Sequence, residues 1–90
     1  MECAKRYLVR GRVQGVGFRW FVQQSAVSIR LRGWTRNLEN GDVEVYAIGS
    51  SDQLSELSGM LWRGPRLSEV RGVDESDAPV EKLFSFRILR

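Results

Sequence analysis

Between Lys5 and Val13, apolar or small residues fall on alternate positions, Tyr7, Val9, Gly11 and Val13, while Arg6, Arg10 and Arg12 take the opposite face. A period of two is the pattern of a strand with one buried and one wet face. From Phe18 the period lengthens. Phe18, Phe21, Val22, Ser25, Ala26 and Ile29 follow the i, i+3, i+4, i+7 spacing of an amphipathic helix. Leu31 to Leu38 reads as a second strand and Val43 to Ile48 as a third, with Asn40-Gly41 between them expected to supply the φ > 0 residues of a tight hairpin. Ser50 and Gln53 have the spacing of a capping box. They open a second helix that carries Leu54, Leu57 and Leu61 and stops at Gly64-Pro65. Leu67 to Val73 is a weaker strand anchored on Val70 and Val73. Asp74 to Pro79 reads as an acidic loop, and Phe84, Phe86 and Ile88 alternate in a last strand.

The order β-α-β-β-α-β with a terminal strand added predicts an α+β fold. Its simplest packing is a ferredoxin-like βαββαβ sandwich, two helices on one face of an antiparallel sheet with an added C-terminal strand. Strands one and two are joined by a helical crossover, so they are expected to run parallel, with strand three inserted between them. Their C-terminal ends then open on the same edge. The loop after Val13 and the end of strand two near Asn37 become neighbours, with backbones about two inter-strand spacings, roughly 10 Å, apart.

Ninety residues predict one domain, spanning 1–90, with a modest core. The single cysteine, Cys3, excludes an intramolecular disulfide, has no base partner in sequence and reads as a spectator; histidine is absent, and no Cys/His cluster suggests structural zinc. The charged stretch after Met1 has no apolar run behind it that could act as a signal or a membrane span, so a cytoplasmic location is the expectation. A net charge of +3 and a pI near 9.6 favour anions of any kind. Arginine supplies most of the positive charge, and its planar fork suits bidentate phosphate contacts.

The segment Gly11-Arg12-Val13-Gln14-Gly15-Val16-Gly17-Phe18-Arg19 joins strand to helix. Glycines at 15 and 17 permit φ > 0 conformations that turn successive backbone N–H groups toward one point, and the helix adds its unpaired N–H groups and positive dipole end. Arg19, in the helix's first turn, can fold over the same point. The pattern is that of an anion cradle. A Walker loop would need Gly-Lys-Ser/Thr, whereas Phe18-Arg19 follows Gly17; a dinucleotide fingerprint would need a further glycine where Trp20 stands. A plain strand-to-helix turn is the bland alternative.

This segment, together with Gly33-Trp-Thr-Arg-Asn37-Leu-Glu-Asn-Gly41-Asp-Val-Glu-Val45, resembles the acylphosphatase family, and the similarity runs along nearly the whole chain. The resemblance implies hydrolysis of the carboxyl-phosphate bond of acyl phosphates. It implies phosphoryl binding by Gln14, Gly15, Val16, Gly17, Phe18 and Arg19, catalysis by Arg19 and Asn37, and water orientation by Asn37. It also implies no metal or other cofactor. The expected partners are a small acyl phosphate, and inorganic phosphate or other small anions at the loop. The expected state is a monomer, with neither nucleic acid nor membrane as partner. An acyl phosphate is already activated, so positioning and charge stabilisation are the main demands on the protein.

One departure from the family is Arg30, which stands where glycine is usual at the end of the first helix. If that position is a left-handed cap, arginine costs about 1 kcal/mol there. Trp34 and Trp62 read as core or edge packing. Trp20 is open between lining a substrate entrance and partly exposed packing. Arg6, Arg10, Arg12, Arg32 and Arg36 either share one open sheet face or split across it. Two further readings stand beside the enzyme. An RNA-recognition module would share the element order, but its third strand would carry stacking aromatics, where Asp42 to Ile48 offers a carboxylate and one tyrosine. A regulatory domain like those at the front of hydrogenase-maturation carbamoyltransferases would precede a transferase; a chain running from Met1 to Arg90 points instead to a free-standing enzyme.

Overall fold

The computed structural model describes all 90 residues, Met1–Arg90. Its elements are β1 (Cys3–Arg12), α1 (Phe18–Ser28), β2 (Arg32–Asn37), β3 (Val43–Gly49), α2 (Ser51–Arg63), β4 (Glu69–Ala78) and β5 (Phe86–Ile88). They form one five-stranded sheet in the order β4-β1-β3-β2-β5. Both β1 and β2 pair antiparallel with β3, so they run parallel with β3 between them, as the crossover requires.

Alternation decides which residues go inside. Tyr7 and Val9 of β1, Val43, Val45 and Ala47 of β3, and Phe86 of β5 turn to the helical side. There they meet Phe18, Val22 and Ala26 of α1 and Leu54, Leu57 and Leu61 of α2. Burial of each leucine contributes about 1.5–3 kcal/mol. α2 opens with a complete capping box: the Gln53 N–H donates to Ser50 Oγ, and the Ser50 N–H donates to Gln53 Oε1. α1 ends in a Schellman motif. Leu31 N–H donates to Ala26 O at 2.9 Å and Arg30 N–H to Val27 O at 3.1 Å, with Arg30 left-handed at φ 63°.

The face away from the helices is not bare. Ala4, Tyr46 and Ile48 are buried there beneath Trp34, Ala78 and Leu83, with the Trp34 and Tyr46 rings stacked 5.6 Å apart. Beside them Glu44, only 2 % exposed, accepts from both Arg6 and Arg36. Arg36 also lies over the Trp34 ring, 5.4 Å from its centroid. Arg10 and Arg32 share that face, in step with Arg6 and Arg36 along their strands, but take other partners: Arg10 pairs with Asp74 and Arg32 with Glu2.

Several boundaries differ from the sequence expectation, each for a physical reason. Asp74–Ala78 is strand rather than loop, because β1 extends back to Cys3 and offers it partners from Ala4 to Leu8. Cross-strand charge pairs hold the acidic run there, with Lys5 Nζ 3.8 Å from Glu75 and 3.6 Å from Asp77. The sheet is mixed, since β5 pairs parallel with β2. Phe84 precedes β5 and is 86 % exposed. In the turn that joins β2 to β3 only Gly41 has positive φ. Asn40 keeps an ordinary φ and instead accepts from Asp42 N–H at 3.0 Å through its side chain. Trp62 is 51 % exposed and is not a core residue.

Candidate active site

Between the end of β1 and the start of α1 the chain turns through Val13–Gly17. Val13 is buried and Val16 packs on the core, so the loop is anchored from inside at both positions. Gly15 and Gly17 adopt φ of 74° and 77°. A Cβ at either would meet nothing within 4 Å, so glycine is needed there for the backbone angle, and the concave side stays open. None of the main-chain N–H groups of residues 15–20 donates to a protein acceptor; the first bond into the helix is Phe21 N–H to Gly17 O at 3.0 Å. The first turn of α1 holds no acidic residue, so nothing opposes its positive dipole end. Loop and helix together expose a row of free donors, the arrangement that binds an oxyanion.

Arg19 lies in that first turn, half-buried, with Nη1 donating to Leu89 O at 3.3 Å. Asn37 is the last residue of β2, opposite Val43. It is half-buried on the helical side of the sheet, in step with Thr35, and its carboxamide engages no protein group. The Gln14 carboxamide behaves differently. Nε2 donates to Leu38 O at 2.8 Å and to Asp42 O at 2.9 Å, bridging the β1–α1 loop to the β2–β3 turn. The two chain segments expected to be neighbours are therefore joined directly. Trp20, 64 % exposed, stands beside Arg19 in sequence and on the surface. Cys3 is exposed at the far end of β1, where its Sγ approaches Gly49 O.

Two titrating groups are shifted, and neither belongs to the cradle. Burial pushes the Glu44 carboxyl up, but hydrogen bonds from Arg36 and Arg6, with their charges, outweigh it and hold the group below its ordinary 4.5. Burial raises the Tyr7 hydroxyl, and the charge of Glu75 adds to the effect. Its O–H donates to Leu54 O at 3.2 Å in the core. No three His, Cys, Asp or Glu side chains cluster as metal ligands. A cavity of about 330 Å³ lies elsewhere, between residues 82–89 and Trp34. It touches Leu89 but no residue of the loop.

The arrangement therefore supplies donors for a tetrahedral anion, one cation held by a single long hydrogen bond and one neutral amide. Sequence reasoning missed the Gln14 bridge and the Arg19–Leu89 contact, which depend on where loop ends and the C-terminus meet. Glu44 could have been found. It alternates with Tyr46 and Ile48 on the face that also carries Arg6 and Arg36.

The model of the acylphosphatase family matches residues 5–88. An acylphosphatase of Solibacter usitatus is 58 % identical over 85 residues, covering 94 % of this chain and 88 % of the relative. The crystal structure of acylphosphatase from Bacillus subtilis superimposes with a TM-score of 0.95 at 35 % identity and covers all of both chains. The structure of an acylphosphatase from Coxiella burnetii gives 0.94 at 39 % identity, covering 98 % of this chain and 93 % of that one.

Proposed function

The chain belongs to the acylphosphatase family and is a hydrolase acting on acyl phosphates; from that premise we propose that the phosphoryl group sits in the loop from Gln14 to Arg19 and that Asn37 holds the attacking water. The observation that carries this reading is the row of free main-chain N–H groups at residues 15–20, beside a half-buried arginine, in a loop that the Gln14 side chain ties to the turn after Asn37. The backbone donors take the phosphoryl oxygens, and Arg19 clamps them as charge spreads over the equatorial positions. The Asn37 carboxamide holds water without titrating. In the step itself, a water oxygen bonds to phosphorus while the bond to the acyl oxygen breaks. The carboxylate leaves with the electron pair, and a phosphoryl oxygen takes the water's proton. A good leaving group makes a strong general base unnecessary, and positioning carries the rate.

The same reading makes the enzyme a cytoplasmic monomer of one domain, with small anions, inorganic phosphate included, as its only ligands. No helix is long and apolar enough to cross a membrane. Recognition of RNA on the open sheet face is disfavoured by the occupants of β3: Tyr46 is buried in a stack with Trp34, and Glu44 sits under two arginines.

The deciding experiment is hydrolysis of benzoyl phosphate by the purified protein in EDTA, with Asn37→Ala alongside. Turnover is expected to survive the chelator and to vanish in the variant, while phosphate binding by Asn37→Ala is retained. Full turnover by Asn37→Ala would remove the water-holding role.

A further inference from the structure

The Gln14 side chain sits at a position that ought to serve the anion, yet its donors point elsewhere. Both N–H groups of Nε2 are taken by main-chain oxygens of the β2–β3 turn, Leu38 O and Asp42 O. A carboxamide has two donors, so none is left for a ligand. The acceptors are the two oxygens that already close the turn. Leu38 O also receives Gly41 N–H at 3.2 Å, and Asp42 O receives Leu38 N–H at 2.9 Å. Leu38 directly follows Asn37, and Asp42 directly precedes Val43, the residue paired with Asn37.

Two turns of the chain meet here. The loop carries two left-handed glycines, and the hairpin tip carries a third at Gly41. β1 and β2 are not adjacent, since β3 lies between them, so beyond the core packing of Val13 and Val16 it is the Gln14 side chain that links loop and turn directly. Gln14 spans that gap at the strand ends. On the reading given above, the loop holds phosphorus and Asn37 holds water, so the Gln14 bridge sets the distance between the two reactants.

We propose that Gln14 is a positioning residue: its side chain does not contact the phosphoryl group but fixes Asn37 relative to the phosphate loop, leaving its backbone N–H as its only possible contribution to the anion. Displacing a reactant by about 1 Å can cost on the order of 100-fold in rate without loss of binding. Loss of the bridge therefore appears in kcat and spares affinity. This rests on the roles assigned to the loop and Asn37, and the test separates the two.

Steady-state kinetics with benzoyl phosphate, and competitive inhibition by inorganic phosphate, are measured for Gln14→Met, Gln14→Lys and Asn37→Ala. Methionine has the reach of glutamine and no donor; lysine restores N–H donors on a flexible side chain one bond longer. Gln14→Met is expected to lower kcat by roughly 10- to 100-fold with KM and phosphate inhibition within about 3-fold of the parent, and Gln14→Lys to recover much of the loss. Weakening of phosphate inhibition in step with kcat would overturn the proposal and put the side chain in the cradle. Unchanged kcat in Gln14→Met, or a Gln14→Lys no better than it, would also overturn it. Should Gln14→Met not fold, Gln14→Glu, of the same shape but only an acceptor at neutral pH, takes its place under the same criteria. Full kcat in Asn37→Ala would instead defeat the underlying reading. Loss in Asn37→Ala with normal Gln14→Met defeats the bridge alone.

Discussion

The guanidinium of Arg19 donates through Nη1 to the main-chain oxygen of Leu89, 3.3 Å away and 70 residues further along the chain. Leu89 N–H in turn donates to Thr35 O at 2.8 Å, so the acceptor is held by β2. A long, solvent-exposed bond of this kind contributes no more than about 1 kcal/mol. It parks the side chain without locking it, and a phosphoryl dianion offers a stronger, bidentate partner.

Arg19→Ala is therefore expected to weaken inhibition by inorganic phosphate and to lower kcat/KM by about 100-fold or more. Its unfolding free energy should stay within about 1 kcal/mol of the parent. Kinetics and urea unfolding on the same preparation check both halves. Loss of activity that tracked loss of fold would place Arg19 in the scaffold.

Arg30 is the only non-glycine residue with positive φ, at 63°, and it occupies the position of a Schellman motif that glycine fills without strain. Arg30→Gly is expected to stabilise the protein by about 1 kcal/mol. For a domain of this size the melting temperature rises by about 4–8 °C. Thermal unfolding reads the shift, and kcat should not move, because the residue lies at the opposite end of α1 from the loop.

Glu44 predicts a dependence on pH. Its folded-state value is depressed, so the unfolded chain takes up the proton more readily and acid favours unfolding. Glu44→Gln is expected to be less stable at pH 7 by about 1–3 kcal/mol. That gap is present above the ordinary carboxyl value of 4.5 and closes as pH falls through the lower folded value, where the parent too becomes neutral. Because the two arginines are half-exposed, added salt should narrow the gap at neutral pH. Urea unfolding of both proteins from pH 7 to pH 3 measures it. A gap that persisted at the acid end would assign the loss to packing.

What the sequence shows of this molecule follows from how local each cause is. The period of two in β1, the helical spacing from Phe18 and the Ser50–Gln53 box are set within one turn or strand, and each element stands where the pattern puts it. Both motif blocks could be read for a related reason, since glycines at 15 and 17 in the first and at 33 and 41 in the second are backbone requirements written into single residues. Asp74–Ala78 could not. Alone it is an acidic run of poor strand formers, and it pairs because β1 runs alongside it and sets Lys5 and Arg10 against its carboxylates. The parallel placement of β5 and the engagement of Gln14 likewise depend on segments far apart in the chain.

The same acidic strand bears on how the molecule behaves in a crowded solution. In the order β4-β1-β3-β2-β5, the outer strands are β4 and β5, and an outer strand offers unpaired backbone groups to any copy that approaches. β5 is only three residues long and gives a newcomer little to grip. β4 is ten residues long, but its rim carries Glu69, Arg71, Asp74, Glu75 and Asp77 in exposed positions. A second β4 arriving there would have to strip water from these charged side chains and disturb their ion pairs, which opposes edge-to-edge growth. The residues that obscure a strand in the sequence thus keep the sheet finite at five.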